Sequence, residues 1–487
     1  MEIQITGVLA LAIGLFFVFK GSSFAISAFI PSTLLATCAA LVVPALGTAT
    51  VQPAHLLLGF LTISIFMDRM ALAPIVETLT FPREGFWLLA TAIYGVAGAF
   101  LLPRLFAGAA QVNAIGAGQF GPSFIKVPLG PTSGNITQSI YFAGDVVCFI
   151  ACYGFVRTAE RMMIVVNAML AYCVLNVVFA ALDLITFWAG AGYLLDFIRN
   201  STYVMHNEAV VYGLKRIVGS FTEASAFAYA TIGCFGFTLR LWLAGMRPAM
   251  TLTLTLCSAL LLILSTSTTA YVGLPLVLLY AFALSIKAAL GGRVTPGGLA
   301  FLVFTPLLGV LLVILVLLNA DAAAYIKSLL DVLVFDKTYS DSGLDRGSWN
   351  AAAMDAFNAT WGLGAGIGSV RASSFALAVA ANLGAIGAVC YGAFLCLMLF
   401  GKPKQKLNSR VDSVREAART ACIALLIAAS LSGALIDLGL PFFVLAALAC
   451  ACGNLQSPRE NFKQYLYRQN LLEESIRRRY PQITVRA

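Results

Sequence analysis

Apolar residues recur in long runs along almost the whole chain, separated by short polar breaks. A helix crossing the hydrocarbon core of a bilayer needs about 20 mostly apolar residues. Runs of that kind fall at 5–19, 22–47, 55–74, 86–107, 138–156, 162–182, 223–243, 249–266, 268–286, 298–318, 374–400, 418–435 and 437–453. The pattern predicts an all-α, polytopic integral membrane protein of about 12–14 transmembrane helices. Residues 1–455 are expected to form the membrane domain with its loops, and 456–487 a basic tail. The apolar stretch 183–198 is read as an interfacial or partly inserted helix, because a fourteenth span would change the parity of the chain.

Among the longer segments that interrupt this pattern are 199–222 and 320–373. In the second, Tyr325, Leu329, Leu330, Leu333 and Val334 recur at helical spacing, which predicts a helix lying in the membrane interface. The stretch Tyr339 to Ser348 reads as turn. Trp349, Ala353, Phe357 and Trp361 then fall on one apolar face, and Gly362, Gly364, Gly366 and Gly368 lead the backbone to Arg371 at the mouth of the next span.

Composition excludes a soluble domain. Hydrophobic residues make up 60% of the chain and charged residues 11%, against roughly 25% charged in an average soluble protein. All eleven cysteines lie inside apolar runs, so they read as packing residues and not as exterior disulfides. The first run follows Met1, Glu2, Ile3 and Gln4 without the basic residues of a secretory signal, and is expected to be the first span.

Charge then orients the chain, since lysine and arginine accumulate on the cytoplasmic side. Residues 402–419 carry Lys402, Lys404, Lys406, Arg410, Arg415 and Arg419, and the tail carries seven more, so both are expected inside. Counting back places 108–137, 199–222 and 320–373 outside and leaves 22 of the 31 basic residues inside. The formal charge of +9 follows from topology and attraction to anionic membrane lipid, with no need for nucleic acid. Nine basic residues run against the bias: Arg104, Lys126, Arg199, Lys215, Arg216, Lys327, Lys337, Arg346 and Arg371.

Those exceptions are where chemistry is expected. The sequence has no phosphate-binding Walker loop, no His-Glu metal motif and two histidines in all, His55 and His206. Instead two exterior loops present Arg216 beside Lys215, and Arg346 and Arg371, with Glu223 and Asp345 close by. Arginine offers a planar donor fork suited to phosphate oxygens, so an anionic substrate arriving at the outer leaflet is the natural inference.

The runs Arg216 to Ser225, Ser265 to Tyr271, and Arg346 to Trp349 through Gly364 to Ser373 resemble the O-antigen polymerase and ligase superfamily, closest to its exopolysaccharide-polymerase branch. The resemblance spans residues 140–400. It implies a GT-C-like glycosyltransferase of the bacterial inner membrane that joins glycans carried on undecaprenyl diphosphate at the periplasmic face, with no metal and no cofactor. Chain-length regulators or export proteins are implied as partners. On this reading Arg216, Arg346, Arg371 and Glu223 are catalytic, the arginines stabilising charge on the diphosphate leaving group. Lys215, His206, Asp345, Tyr339 and Trp349 then contact substrate. Ligases of the superfamily place a histidine just before the span at 374–400, where this chain has Arg371-Ala372-Ser373-Ser374. That departure favours polymerase over ligase and leaves the general base unassigned.

Each residue also has a plainer reading. The arginines can snorkel to lipid headgroups, Glu223 can complement a helix dipole, and Trp349, Phe357 and Trp361 can anchor at the interface. Ser265, Ser267, Thr268 and Tyr271 can pack helices. Asp145, Asp183 and Asp437 are costly in lipid, so each is expected to be paired or to face a cavity. A lipid-linked glycan transporter would explain many spans with buried polar groups, and an inactive scaffold would explain the basic tail.

Overall fold

The computed structural model describes residues 2–44, 49–118, 121–203, 205–211, 213–292, 294–331, 341–403 and 407–455. Apolar helices dominate, as the hydropathy predicts. In chain order the first are α1 (Ile5–Lys20), α2 (Ser22–Ser32), α3 (Pro53–Met67), α4 (Arg69–Thr78), α5 (Glu84–Leu105), α6 (Ser133–Phe155) and α7 (Ala159–Trp188). They are followed by α8 (Ala224–Leu243), α9 (Pro248–Leu264), α10 (Thr268–Leu290), α11 (Pro296–Leu318), α12 (Ala320–Leu330), α13 (Asp341–Ala359), α14 (Phe375–Phe400), α15 (Ser409–Ser432) and α16 (Leu440–Ala451).

Seven of the described helices are long and apolar enough to cross a membrane singly, or up to eight if the bent pair α3 and α4 counts as one span. Of the expected 12–14 transmembrane helices, these are the ones among the described residues that meet the length and hydropathy of a full crossing. The remaining apolar runs form shorter helices, α1, α2, α9 and α16, and α15, which begins in charged residues. The run 22–47 is not one span: α2 stops at Ser32, and Leu41–Val43 and Ala49–Val51 form strands β2 and β3, with β1 (Glu2–Ile3) on the β2 edge. Hydropathy is blind to this change, because a short apolar strand and a piece of apolar helix have the same composition.

The polar segments also depart from expectation. Two strands pair antiparallel, β4 (Gln111–Gly118) and β5 (Gly121–Pro128), in register from Gln111 opposite Pro128 to Gly118 opposite Gly121; they are the β4–β5 hairpin. A second small hairpin, β6 (Val210–Val211) with β7 (Leu214–Lys215), lies in the loop after α7. The stretch 183–198 divides: α7 continues through Trp188, and Gly192–Ile198 winds as a 3-10 helix. The expected turn before Trp349 is largely helix, since α13 starts at Asp341. Trp361 leaves the apolar face of α13, having a φ of 55° and 87% exposure. Tyr339 and the tail 456–487 lie outside the described residues.

The loops sort to two ends of the bundle. One end gathers Glu77, Arg83, Arg157, Arg161 and the start of α15. There Arg419 donates from Nε to Met398 O at 3.0 Å and from Nη2 to Gly401 O at 2.6 Å, and Arg415 donates to Gly401 O and to Ala449 O. These two cations, expected as loop charges, are instead buried on α15 and hold the carbonyl end of α14. The other end gathers 33–44 and 49–52, the β4–β5 hairpin, 192–203, 205–211 and 213–222, α13, 360–373 and 433–439, joined by contacts such as Thr37 Oγ1 to Ile198 O and Ser220 O, and Ala372 N to Ala434 O.

Helix α8 is the core of this arrangement, with 78% of its apolar window buried, whereas α11 buries only 6% of its own. Glycines let α15 lie close along α8: a Cβ at Gly236 would sit 3.1 Å from Ala424 Cβ, and one at Gly233 would sit 2.8 Å from Leu425. The N-terminus of this buried helix is what fixes the position of Glu223 and the loop before it.

Candidate functional site

The loop that carries Arg216 is anchored by a buried ionic cluster. Asp183 on α7 accepts from Lys215 Nζ at 2.7 Å, from Arg199 Nη2 at 2.6 Å, and from the backbone N–H groups of Val218 and Gly219 at 2.9 and 3.2 Å. Arg199 also donates to Gly219 O at 2.6 Å. Every donor here satisfies a carboxylate that would otherwise be stranded among apolar helices. Burial lowers the Lys215 ammonium from its ordinary value, and the Asp183 contact opposes that shift. Lys215, expected at substrate, is thus engaged inside the fold and serves to hold its neighbour.

Arg216, the next residue, is only half-buried. Its guanidinium is lowered first by burial, and it feels the charges of Glu223, Arg346 and the phenol of Tyr271. Its Nε has no hydrogen-bond partner among the described residues. Glu223 stands at the N-cap of α8 without capping it; its exposed carboxylate accepts from Ser225 Oγ. Tyr271 enters from α10 and donates to Ile263 O at 2.9 Å across the buried turn Ser265 to Ser267, where Thr266 adopts a φ of 49°. Arg346, half-buried on α13, completes the group. Charged and phenolic groups from the start of α8, from α10 and from α13 therefore lie within electrostatic reach of Arg216.

Arg371 reaches the same end by a different device. Gly362, Gly364, Gly366 and Gly368 have φ of 74°, 90°, 89° and 80°, so every second residue lies in the left-handed region. A Cβ at Gly364 would lie 2.5 Å from Gly384 N, one at Gly366 2.7 Å from Gly98 O, and one at Gly368 2.3 Å from Gly134 O. The series that reads as a weak motif in sequence is thus a backbone requirement, threading the chain between α5, α6 and α14. Asn382 fixes its far end, accepting from Val370 N at 3.1 Å and donating to Val370 O at 2.8 Å. Asn135 donates to Ile367 O at 2.7 Å. Burial lowers the Arg371 guanidinium.

The nine basic exceptions now separate. Arg199 and Lys215 are locked on Asp183; Arg104, Lys126 and Lys327 are exposed; Lys337 lies outside the described residues. Arg216, Arg346 and Arg371 are the half-buried ones. Among the other expected substrate contacts, His206 and Asp345 are exposed, His206 N donating to Thr222 O at 2.9 Å, and Trp349 is half-buried on α13. Asn135, Asn382 and His55 do not stand out as site residues in the sequence, although for Asn382 and His55 a lone amide or imidazole in an apolar run is a usable signal. Comparison with protein-family models, with curated proteins and with solved structures gives no match.

Proposed function

We propose that the chain is a polymerase that joins undecaprenyl-diphosphate-linked oligosaccharide repeat units at the outer face of the membrane. The observation that carries this reading is the convergence of Arg216, Glu223, Tyr271 and Arg346. These residues come from the three runs on which the resemblance rests, and up to about 130 residues of chain separate them. Two half-buried guanidiniums within electrostatic reach of each other are mutually repulsive, and an anion bound by both removes that cost. A diphosphate, which gains charge as the glycosidic bond breaks, fits the planar forks.

In this account the acceptor hydroxyl attacks the anomeric carbon of the donor, and the bonding pair of the broken C–O bond leaves on the diphosphate. Arg216 and Arg346 hold that leaving group, with Arg371 nearby at the end of the glycine thread. Glu223 orients Arg216. The outward placement of this end rests on the basic-residue bias.

The test is reconstitution. Lipid-linked oligosaccharide accumulated by a strain deleted for this chain is supplied to the purified protein in vesicles. Growth of the glycan with release of lipid diphosphate is expected. Translocation of the lipid-linked unit without any new glycosidic bond would replace this reading with a transporter.

A further inference from the structure

Away from the arginines, an acid lies where an apolar chain would be expected to have none. Asp145 sits mid-way along α6 and is 1% exposed; its Oδ2 has no hydrogen-bond partner among the described residues. Facing it is Asp437, in the loop 433–439 that dips between α15 and α16. An intramembrane carboxyl that does not pair with a cation marks a functional site more often than a packing one.

The loop bearing Asp437 is held by two helices and by a contact of its own. Tyr229 on α8 donates to Leu438 O at 2.8 Å, Tyr391 on α14 donates to Ile436 O at 3.3 Å, and Gly439 N donates to Asp437 Oδ1 at 2.6 Å. Asp437 itself is half-buried, so it is the open member of the pair, with Asp145 behind it. His55 adjoins them: its Cδ2 lies 3.6 Å from where a Cβ on Gly144 would stand, its ring packs 5.0 Å from that of Tyr141, and its buried Nδ1 lacks a partner among the described residues. The same loop touches the arginine end, because Ala372 N, next to Arg371, meets Ala434 O at 3.5 Å.

We infer that Asp437 is the proton acceptor of the proposed glycosyl transfer, with Asp145 behind it as the positioning residue. The inference rests on the polymerase reading above. Arginines cannot accept the proton that the attacking hydroxyl must lose. In the step, the acceptor O–H bond breaks and its oxygen bonds to the anomeric carbon, while the anomeric C–O bond to diphosphate breaks with its electron pair. The proton passes to a carboxylate oxygen of Asp437, the open member of the pair.

The experiment uses the full-length protein in vesicles with the lipid-linked oligosaccharide from the deletion strain, and measures donor binding separately from lipid-diphosphate release. Asp437→Asn and Asp145→Asn should bind donor as wild type does and lose about 10²–10⁴-fold in turnover, the usual contribution of a general base. Azide needs no deprotonation before it attacks, so it should restore lipid-diphosphate release to both variants and yield a glycosyl azide. It should not rescue Arg216→Ala, which lacks the leaving-group contact. Asp437→Ser, tested the same way, guards against a misfolded amide variant. Wild-type turnover in Asp437→Asn overturns the inference while Arg216→Ala still reports on the polymerase reading. Donor binding without azide rescue in both Asp437 variants overturns it too. Absence of glycan growth by the wild-type protein would bring down the polymerase reading, and the inference with it.

Discussion

Lys215 Nζ lies 2.7 Å from Asp183 Oδ2, and each side chain is 1% exposed. The same carboxylate binds Arg199 at 2.6 Å, so one acid on a membrane helix balances two cations from the loop beyond it. This cluster sets where Arg216 begins.

Asp183→Ala leaves both cations buried without a counter-charge, a change that typically costs about 3–5 kcal/mol. The expected outcome is a large fall in thermal midpoint, with proteolytic nicking in 199–222. A midpoint equal to that of the wild type would show that the cluster does not hold the loop.

Glycine at alternate positions of the thread is required by both φ and space. Gly364→Ala, Gly366→Ala and Gly368→Ala should each lower stability by about 1–3 kcal/mol from backbone strain alone, with more from the close contacts. Gly347→Ala, whose Cβ would meet nothing within 4 Å, is the control and should be near neutral. Membrane abundance and thermal midpoint of the four variants decide the matter; equal behaviour of all four would contradict the threading.

The two ends of the bundle should be separable by labelling. In a cysteine-free background, a cysteine at the exposed position of Glu208 should react with an impermeant thiol reagent in intact cells, and one at the exposed position of Arg410 should react only after lysis. Labelling of position 410 in intact cells would reverse the orientation.

Much of this fold is legible in the sequence because bilayer burial imposes an apolar run on every spanning helix. The basic bias groups Arg83, Arg157 and Arg161 with the start of α15, and these lie together at one end of the bundle. What hydropathy cannot see is conformation within a run. It merges α2 with β2 and β3, and it misses the β4–β5 hairpin, whose residues alternate on a two-residue period in a segment rich in glycine. The site was legible as residue types but not as geometry. The sequence singles out Arg216, Arg346 and Glu223, while their proximity depends on how α13 packs against α14 and the β4–β5 hairpin. It also groups Lys215 with Arg216, although one faces inward to Asp183 and the other is half-buried toward Arg346. Adjacent residues on an irregular loop can point to opposite environments, and only packing decides which.

The central claim is that the arginines act as forks on a diphosphate and not as point charges at the lipid surface. Its most direct test is the turnover of Arg216→Lys, Arg346→Lys and Arg371→Lys beside the three alanine variants, with membrane abundance held equal. Lysine keeps the charge but loses the bidentate geometry, so turnover should fall about 10²–10³-fold in the lysine variants and at least as far with alanine. Full activity of Arg371→Ala alone would confine the site to Arg216 and Arg346. Full-length polymer from all three alanine variants would contradict the account.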